Sequence, residues 1–306
     1  MSSGKRALLL ALPLLLSAVA GSLYTPPGKE GRHTVSQGAT LPAVPAWASS
    51  ALPDFSRFRD TTEKKAAFFS FLYPRIVLAN TRILLQRHYL IQLSGRPSLT
   101  PAETLWLETQ ARRFGIDGNY DRQQLPQQLL LHLDIIPPSL VLAQAANESA
   151  WGTSRFATGG NNLFGQWCFT KGCGLVPLNR GQNAVHEVRV FRSPYQSVQS
   201  YIQNLNTHSA YRQLRTIRQQ QRQDDKPLSG LELARGLQSY SSRGANYVQE
   251  IQTIIHHNNL GYYDDHFTTL IQGLDDRGLS ELASVGNEAL LLPGSTQQED
   301  KIELQH

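Results

Sequence analysis

The part of this chain that best indicates its fold and its chemistry is the stretch Ala146-Asn147-Glu148-Ser149-Ala150-Trp151-Gly152-Thr153. An apolar run precedes it, and Pro137-Pro138-Ser139 opens that run. Prolines at the start of an apolar run and a glycine after it predict a helix that ends near Gly152. The stretch therefore places the Glu148 carboxylate near the end of an apolar helix, with the Trp151 ring one turn later.

Three features of this position are expected to raise the pKa of Glu148. Burial among apolar neighbours disfavours the carboxylate anion, the Trp151 indole lowers the local dielectric, and the C-terminal end of a helix has negative dipole character. A carboxylic acid that keeps its proton near neutral pH can protonate a glycosidic oxygen, which is otherwise a poor leaving group. The alternative is a helix-end glutamate that bonds to the backbone or pairs with Arg155.

A loop rich in asparagine, glycine and aromatic residues follows the helix, Asn161-Asn162-Leu163-Phe164-Gly165-Gln166-Trp167. Asparagine and glycine favour a tight turn, and flat aromatic rings can stack on the C–H faces of sugars. The loop is therefore a candidate glycan-binding segment. The alternative is a loop whose Leu163 and Phe164 side chains insert into the core.

Helix signals begin at Asp60, which forms a capping pair with Glu63. Pro74 is expected to end or kink this first helix, and residues 76–93 then predict a second one. No apolar run beyond the N-terminal segment is expected to reach the length of a membrane span.

Three later helices are predicted from cap signals at Thr100, Ser193 and Ser229. Side chains alternate over residues 184–191, which predicts one strand with Glu187 and Arg189 on the same face. A helix-rich chain with one short strand or hairpin in its middle is mainly α, of the α+β type.

Two spaced motifs resemble the glucosaminidase domain of glycoside hydrolase family 73. They are Leu142-Ala143-Gln144-Ala145-Ala146-Asn147-Glu148-Ser149-Ala150-Trp151-Gly152 and Asn162-Leu163-Phe164-Gly165. Segments similar to the Bax-like branch of exported bacterial proteins are Asp134-Ile135-Ile136-Pro137-Pro138-Ser139, Gln166-Trp167-Cys168 and residues 171–178. A two-tyrosine segment, Tyr240 and then Tyr247, also resembles the family, although Ser241-Ser242-Arg243 stands where Ala-Thr-Asp is common.

This resemblance extends over residues 55–265 and implies a lysozyme-like helical domain with a small β-hairpin lobe beside a cleft. The family cleaves the β-1,4 bond after N-acetylglucosamine, usually in peptidoglycan. Glu148 matches its general acid, and Glu187 is the nearest match to a second acid on the lobe. Neither a metal nor an organic cofactor is expected. The residues predicted to line the cleft are Trp151, Asn162, Phe164, Trp167 and Tyr247.

The mechanism is open at the second group. If Glu187 activates water, the reaction inverts and the two carboxyls should lie roughly 6.5–9.5 Å apart. If Glu187 is too distant, the acetamido carbonyl of the substrate is the nucleophile, and Tyr240 would orient that group or the water. The alternatives are a surface glutamate that faces Arg189 and a core tyrosine with a satisfied hydroxyl.

The N-terminus indicates export. Residues 1–20 have the features of a signal peptide: Lys5 and Arg6, an apolar run, and Ala18-Val19-Ala20 as the cleavage site. Localisation is then periplasmic or secreted, and the alternative is an uncleaved inner-membrane anchor. In an oxidising compartment Cys168 and Cys173 could form a disulfide. The alternative is two reduced thiols.

The 306 residues divide into a signal peptide (1–20), a flexible linker (21–58), a catalytic domain (59–265) and an acidic, flexible tail (266–306). The net charge of +5 suits an anionic envelope polymer better than nucleic acid in an exported protein. The expected partner is therefore the peptidoglycan glycan strand, and envelope proteins are open as further partners. A basic stripe is predicted to be a solvated face or to contact the carboxylates of the polymer: Arg212, Arg215, Arg218 and Arg222.

The hypothesis is an endo-β-N-acetylglucosaminidase with Glu148 as general acid. Two alternatives remain: a muramidase or lytic transglycosylase on the same scaffold, and a wall-binding module without turnover. Motifs for nucleophilic serine, phosphate loops and dinucleotides are absent from the sequence.

Overall fold

The central element of the fold is a helix of 34 residues, α1 (Thr61–Ser94). The Asp60 side chain accepts a hydrogen bond of 2.8 Å from the Glu63 amide, so the predicted cap is present. This computed structural model describes residues 40–116, 118, 120–121, 124–178, 180 and 184–295. The predicted signal peptide, residues 21–39 of the predicted linker and residues 296–306 of the predicted tail lie outside the described residues.

Pro74 does not end α1, so the prediction of two separate helices is wrong. Every residue from Leu72 to Thr81 is buried. Burial of that many side chains offsets the cost of an interior proline, roughly 3 kcal/mol. The helix is thus long and apolar enough to cross a membrane by length and composition, contrary to expectation, but 78% of its most apolar window is buried inside the fold. That burial is typical of the core helix of a folded domain.

Further helices surround α1, and their bounds follow in chain order. They are α2 (Pro101–Phe114), α3 (Gln124–His132), α4 (Pro138–Ser149), α5 (Arg155–Gly160), α6 (Pro194–Thr207), α7 (Arg212–Gln223), α8 (Gly230–Leu233), α9 (Ala245–His257), α10 (Gly261–Ile271) and α11 (Asp276–Leu282). Short 3-10 turns cover Ala46–Ser49, Phe55–Arg57, Ser209–Tyr211, Ala234–Leu237 and Glu288–Leu291. The caps predicted at Thr100, Ser193 and Ser229 are present.

A small antiparallel sheet interrupts the helices, with strand order β1-β3-β2. Its strands are β1 (Trp167–Cys168), β2 (Gly174–Leu175) and β3 (Glu187–Arg189). The predicted strand is therefore real but shorter than residues 184–191, and two further strands join it. Gly174 is required in β2, because a Cβ there would lie 2.0 Å from the Val188 carbonyl oxygen. The mainly helical fold with a small β lobe confirms the predicted fold class.

The segments on either side of the helical domain pack on α1, at variance with the predicted linker and flexible tail. The Trp47 indole donates a hydrogen bond of 2.8 Å to the Val285 carbonyl. Arg75 of α1 donates to Glu288 at 2.8 Å and to the Trp47 carbonyl at 2.9 Å. Apolar side chains of both segments provide the packing: Ala48, Phe55, Leu279, Ala283 and Leu291 are buried.

The predicted basic stripe on α7 is a solvated face only in part, since Arg212 and Arg222 are exposed. Arg215 and Arg218 are buried, and their guanidinium groups donate to backbone carbonyls. The acceptors for Arg218 are the carbonyls of Leu131, Asp134 and Ile135, and those for Arg215 are the carbonyls of Leu205 and His208. These arginines therefore donate to backbone carbonyls that would otherwise lack a hydrogen-bond donor inside the protein.

Asp134 is the buried anion of this cluster. Its carboxylate accepts from Arg222 at 2.8 and 3.1 Å, and Arg87 lies 3.5 Å away. Burial alone would raise the pKa of Asp134, but the charges of Arg87, Arg222 and Arg218 lower it to about 2. The cluster therefore stabilises the fold above the ordinary pKa of aspartate, and this contribution is lost as the pH falls towards 2.

We predict that Asp134→Asn lowers the free energy of unfolding by about 3–5 kcal/mol at neutral pH, because it leaves buried arginines without a counter-charge. Denaturant titration measures the change. The control is Asp224→Asn, which removes an exposed pair with Lys226 and should cost less than about 1 kcal/mol. Equal losses in the two variants would contradict the role assigned to the cluster.

Candidate active site

Glu148 lies one residue before the end of α4 and is half-buried. All other residues of α4 except Asn147 are buried. The two polar side chains therefore mark the only part of this helix that reaches the surface. Glu148 is neither in open solvent nor sealed in the interior. This intermediate exposure is what contact with a substrate requires.

The two carboxyl oxygens of Glu148 have different surroundings. Oε1 accepts hydrogen bonds from the Tyr247 hydroxyl at 2.7 Å and from the Asn147 amide at 3.4 Å. Oε2 makes no hydrogen bond within the described part of the chain, and a Cβ built on Gly165 would lie 3.8 Å from it. Burial raises the pKa of Glu148, and the hydrogen bonds from Tyr247 and Asn147 oppose that rise without cancelling it. The predicted direction of the shift agrees with the structure.

Behind Glu148 lies a chain of buried hydrogen bonds that the sequence analysis missed. Gln144 Nε2 donates to the Tyr247 hydroxyl at 2.8 Å, and the Tyr201 hydroxyl donates to Gln144 Oε1. Gln144 stands four residues before Glu148, on the same face of α4. A lone amide in an apolar helix, one turn from a glutamate, was the available signal. Its partner Tyr201 comes from α6 and could not be identified from spacing.

Trp151 lies beyond the end of α4, because the helix stops at Ser149 and not near Gly152. Ala150, Trp151 and Gly152 have φ angles of 49°, 59° and 76°, all in the left-handed region. The indole packs edge-on against Phe68 and Phe69 of α1, at centroid distances of 5.8 and 5.4 Å. It therefore anchors the turn to the core. Its predicted contact with substrate stays a prediction.

The loop after α5 contains two predicted binding residues that are buried. Asn162 Nδ2 donates to the carbonyls of Gln166 and Arg189 at 2.9 and 2.8 Å, and its Oδ1 accepts from the Phe164 and Gln166 amides. The Phe164 ring stacks on Tyr201 with 4.0 Å between centroids. Asn162 and Phe164 thus shape the loop from inside. For Phe164 this is the alternative in which its side chain inserts into the core.

Trp167 is the predicted binding residue that is most open to solvent. Its side chain is 56% exposed, and one face stacks on His186 with 4.0 Å between ring centroids. The supported indole leaves aromatic surface free at the start of β1. This is the geometry that a sugar platform requires.

Tyr240 and Tyr247 stack face to face, 5.3 Å apart and with ring planes inclined by 7°. The Tyr240 hydroxyl donates to the Phe164 carbonyl at 2.9 Å, which fits a core tyrosine better than a group that orients a substrate. Tyr247 is 1% exposed. It therefore contacts the acid, whereas the sequence predicted contact with the glycan.

Glu187 is bound within the β lobe. Its two oxygens accept from the Gly172 and Gly174 amides at 3.0 and 2.8 Å, and these hydrogen bonds lower its pKa. It is buried, so it is not a surface residue facing Arg189. No hydrogen bond joins it to Glu148 in the described ranges. A catalytic role for Glu187 stays a prediction.

Cys168 and Cys173 form a disulfide, the first of the two states that the sequence left open. Their sulfurs and a Glu187 oxygen all lie within 4.8 Å of one another. Zinc takes cysteine as the thiolate, and bonded sulfurs do not supply it. The disulfide closes the loop whose amides bind Glu187.

Comparison with known proteins adds the family. A family model described as mannosyl-glycoprotein endo-beta-N-acetylglucosaminidase, the glucosaminidase domain, matches residues 126–260. Protein bax of Escherichia coli (strain K12) is 36% identical over 200 residues, which are 65% of this chain and 71% of that protein. The chain belongs to the Bax-like family of glucosaminidase-domain proteins. No solved structure matches it.

Membership of the Bax-like family identifies a glycosidase-type enzyme with a glycan substrate. The matched residues extend from α3 through α9, so they include Glu148, the β lobe and the hydrogen-bond chain behind the acid. The site described above therefore lies within the residues that the family model matches.

We predict that Gly152→Ala lowers the free energy of unfolding by about 2–4 kcal/mol. Residue 152 has a left-handed φ, and a Cβ there would lie 2.6 Å from the Phe55 ring. Backbone strain and overpacking therefore both contribute to the loss of stability. Thermal and denaturant unfolding measure the loss. Gly115→Ala is the control, because its φ is also left-handed at 61° but its Cβ would meet nothing within 4 Å. A loss no larger than in this control would exclude the contact with Phe55 as a cause.

Proposed function

We propose that the protein is an exported endo-β-N-acetylglucosaminidase that hydrolyses β-1,4 bonds of peptidoglycan, with Glu148 as general acid. The main support is the half-buried carboxyl of Glu148. Burial raises its pKa, and its Oε2 has no hydrogen-bond partner in the described residues. A protonated, half-buried acid with one oxygen free of hydrogen bonds can transfer its proton to a bound glycan.

In the proposed reaction, Glu148 gives its proton to the glycosidic oxygen as the bond from that oxygen to the anomeric carbon breaks. Water supplies the hydroxyl that the anomeric carbon gains, and its remaining proton passes to a base. Glu148 can take up that proton in a two-step reaction, in which it first acts as acid and then as base. The exposed indole of Trp167 would support a sugar ring beside the reacting bond.

The surroundings of Glu187 favour the substrate-assisted route over direct inversion. Both of its oxygens are engaged by backbone amides, of Gly172 in the disulfide loop and of Gly174 just after it, so a water molecule would compete with these hydrogen bonds. In the substrate-assisted route the acetamido carbonyl attacks the anomeric carbon, and water later opens the intermediate. Glu187 then stabilises the lobe and need not touch the reacting atoms.

A lytic transglycosylase or muramidase is the second candidate. The observation that favours it is that Glu148 has a free Oε2 while both oxygens of Glu187 are engaged, since one catalytic acid can suffice for the intramolecular attack of a sugar hydroxyl. The two candidates differ in the bond that is cleaved and in the ends that are released. A wall-binding module without turnover is disfavoured by the intact acid and its raised pKa.

Export is supported by the disulfide Cys168–Cys173, because disulfides persist in oxidising compartments. The signal-like residues 1–20 lie outside the described residues, so the cleavage site and the periplasmic location are proposals from sequence. Mass spectrometry of the mature N-terminus identifies the site.

We predict that the protein releases fragments with reducing N-acetylglucosamine ends from purified sacculi, and that Glu148→Gln lowers the rate by at least about 100-fold. Mass spectrometry of the soluble products identifies the ends. Glu232→Gln is the control, since this residue makes only an exposed pair with Arg235. Muramic acid ends, reducing or anhydro, would select the second candidate. Full activity of Glu148→Gln would remove this residue from the mechanism.

The pH profile is a second test, because a general acid must be protonated. We predict that kcat/KM falls tenfold per pH unit on the alkaline side of the profile. The pKa that governs this fall should lie above the ordinary pKa of a glutamate. The substrate is solubilised, uncrosslinked peptidoglycan, and stability across the range is checked by circular dichroism. An alkaline limb below the ordinary pKa of glutamate would contradict the assignment of Glu148.

A further inference from the structure

The hydrogen-bond chain behind Glu148 is buried along its whole length. Gln144 and Tyr201 are both 0% exposed, and Tyr247 is 1% exposed. The chain links three helices, since Tyr201 lies on α6, Gln144 on α4 and Tyr247 on α9. The two inner hydrogen bonds, Tyr201 to Gln144 and Gln144 to Tyr247, are closed to water, so the protein itself sets the direction in which they donate.

We propose that Gln144 and Tyr201 are positioning residues that fix Oε1 of Glu148 as an acceptor and so place the catalytic proton on Oε2. The inference rests on the proposed function of Glu148 as general acid. It adds two residues that do not touch the substrate and act through Tyr247.

The direction of the hydrogen bonds follows from the Tyr201 hydroxyl, at which the series ends. In the described part of the molecule the Tyr201 hydroxyl has one hydrogen-bond partner, Gln144 Oε1. A buried hydroxyl with one partner must donate to it, because its hydrogen would otherwise be unpaired. The Gln144 amide is then oriented with Nε2 towards Tyr247, to whose hydroxyl oxygen it donates.

Tyr247 has one hydroxyl hydrogen, and Gln144 already occupies the acceptor side of that oxygen. The hydrogen is therefore donated to Glu148 Oε1, at 2.7 Å. Asn147 donates to the same oxygen at 3.4 Å. With donors directed at Oε1, a proton on that oxygen would face another hydrogen, so the acid carries its proton on Oε2, beside Gly165.

The reverse direction of hydrogen bonding is disfavoured at the same Tyr201 hydroxyl. If Glu148 donated to Tyr247 from Oε1, Tyr247 would donate to Gln144, and the amide would turn Nε2 towards Tyr201. The Tyr201 hydroxyl would then accept, and its own hydrogen would have no acceptor among the described residues. An unpaired buried donor is costly.

The charged groups that face the carboxyl from α9 and the turn before it are Arg243 and Glu250. They pair with each other at 2.6 Å, and their effects on the pKa of Glu148 oppose. The remaining titratable neighbours are the tyrosines Tyr201, Tyr211, Tyr240 and Tyr247, which stay neutral because burial raises their pKa. A change at Tyr201 should therefore reach Glu148 mainly through the hydrogen-bond chain.

The test is Tyr201→Phe, which removes one hydroxyl and keeps the ring that stacks on Phe164. Without this donor the Gln144 amide can rotate and present Oε1 to Tyr247. Tyr247 then donates to Gln144, and the Glu148 anion loses its strongest donor. We expect the pKa of Glu148 to rise by about 0.5–1 unit. We expect kcat to fall roughly 5- to 20-fold with KM changed by less than about twofold.

The readout that does not need activity is carbon-13 NMR of the glutamate side-chain carboxyls. Glu148→Gln identifies the resonance, and titration gives the pKa in the wild type and in Tyr201→Phe. The matched control is Tyr195→Phe on the same helix, which removes a buried hydroxyl bonded to Gln199 at 3.1 Å. It should leave the titration of Glu148 unchanged. Gln144→Met removes the acceptor towards which Tyr247 could turn, so Tyr247 keeps donating to Glu148 and the pKa should rise less than in Tyr201→Phe. Tyr201→Met removes the same hydroxyl and serves as the second variant if Tyr201→Phe does not fold.

The outcomes separate this inference from the proposed function. An upward shift in the Tyr201 variant that exceeds the shift in Gln144→Met, with none in Tyr195→Phe, supports the positioning role. An unshifted resonance in the Tyr201 variant overturns it, even if the wild type cleaves sacculi. Failure of the wild type to release any product overturns the proposed function and, with it, the assignment of a catalytic proton to Oε2.

Discussion

Burial of α4 is the constraint on which the rest of the site depends. Its side chains from Pro138 to Ala146 are all buried, so the polar groups among them must find partners inside the protein. At the N-terminal end, Asp264 accepts from the Ser139 amide and hydroxyl and from the Gly230 amide. At the other end, only Asn147 and Glu148 reach the surface. The helix is thus fixed at its start by a carboxylate and exposes a second one where it stops.

The left-handed turn after α4 directs the chain away from the acid. Three successive residues with positive φ are costly for alanine and tryptophan, and the packing of Trp151 on α1 offsets that cost. Because the chain leaves in this direction, the loop that contains Gly165 can return to the Oε2 side of Glu148. The two motifs of the family therefore meet at Glu148, because the first supplies the acid and Gly165 of the second lies beside its Oε2.

Local signals were sufficient for the parts of this fold that are local. The cap at Thr100, the mainly helical class, the raised pKa of Glu148 and the family all followed from short stretches of sequence. Interactions between distant elements did not, and so Pro74 was misjudged, Arg215 and Arg218 of α7 were assigned to solvent, and Tyr201 was missed. The residues chosen as binding groups were aromatic or amide side chains near Glu148, but chain proximity does not distinguish a ring that faces the glycan from one that faces the core.

Three carboxyls of this protein show why burial alone does not set acidity. Asp134 is buried, yet arginines lower its pKa to about 2. Asp264 is also buried, but its partners are neutral donors, and its pKa rises to about 6. Glu148 resembles Asp264, because its hydrogen-bond donors are the neutral side chains of Tyr247 and Asn147. The nearby cation Arg243 is engaged by Glu250. A site that supplied arginine to Glu148, as the fold does for Asp134, would orient the carboxyl equally well but would remove its proton. Neutral partners orient the acid and leave it protonated, and this explains why a buried amide and two tyrosines, and not a salt bridge, support it.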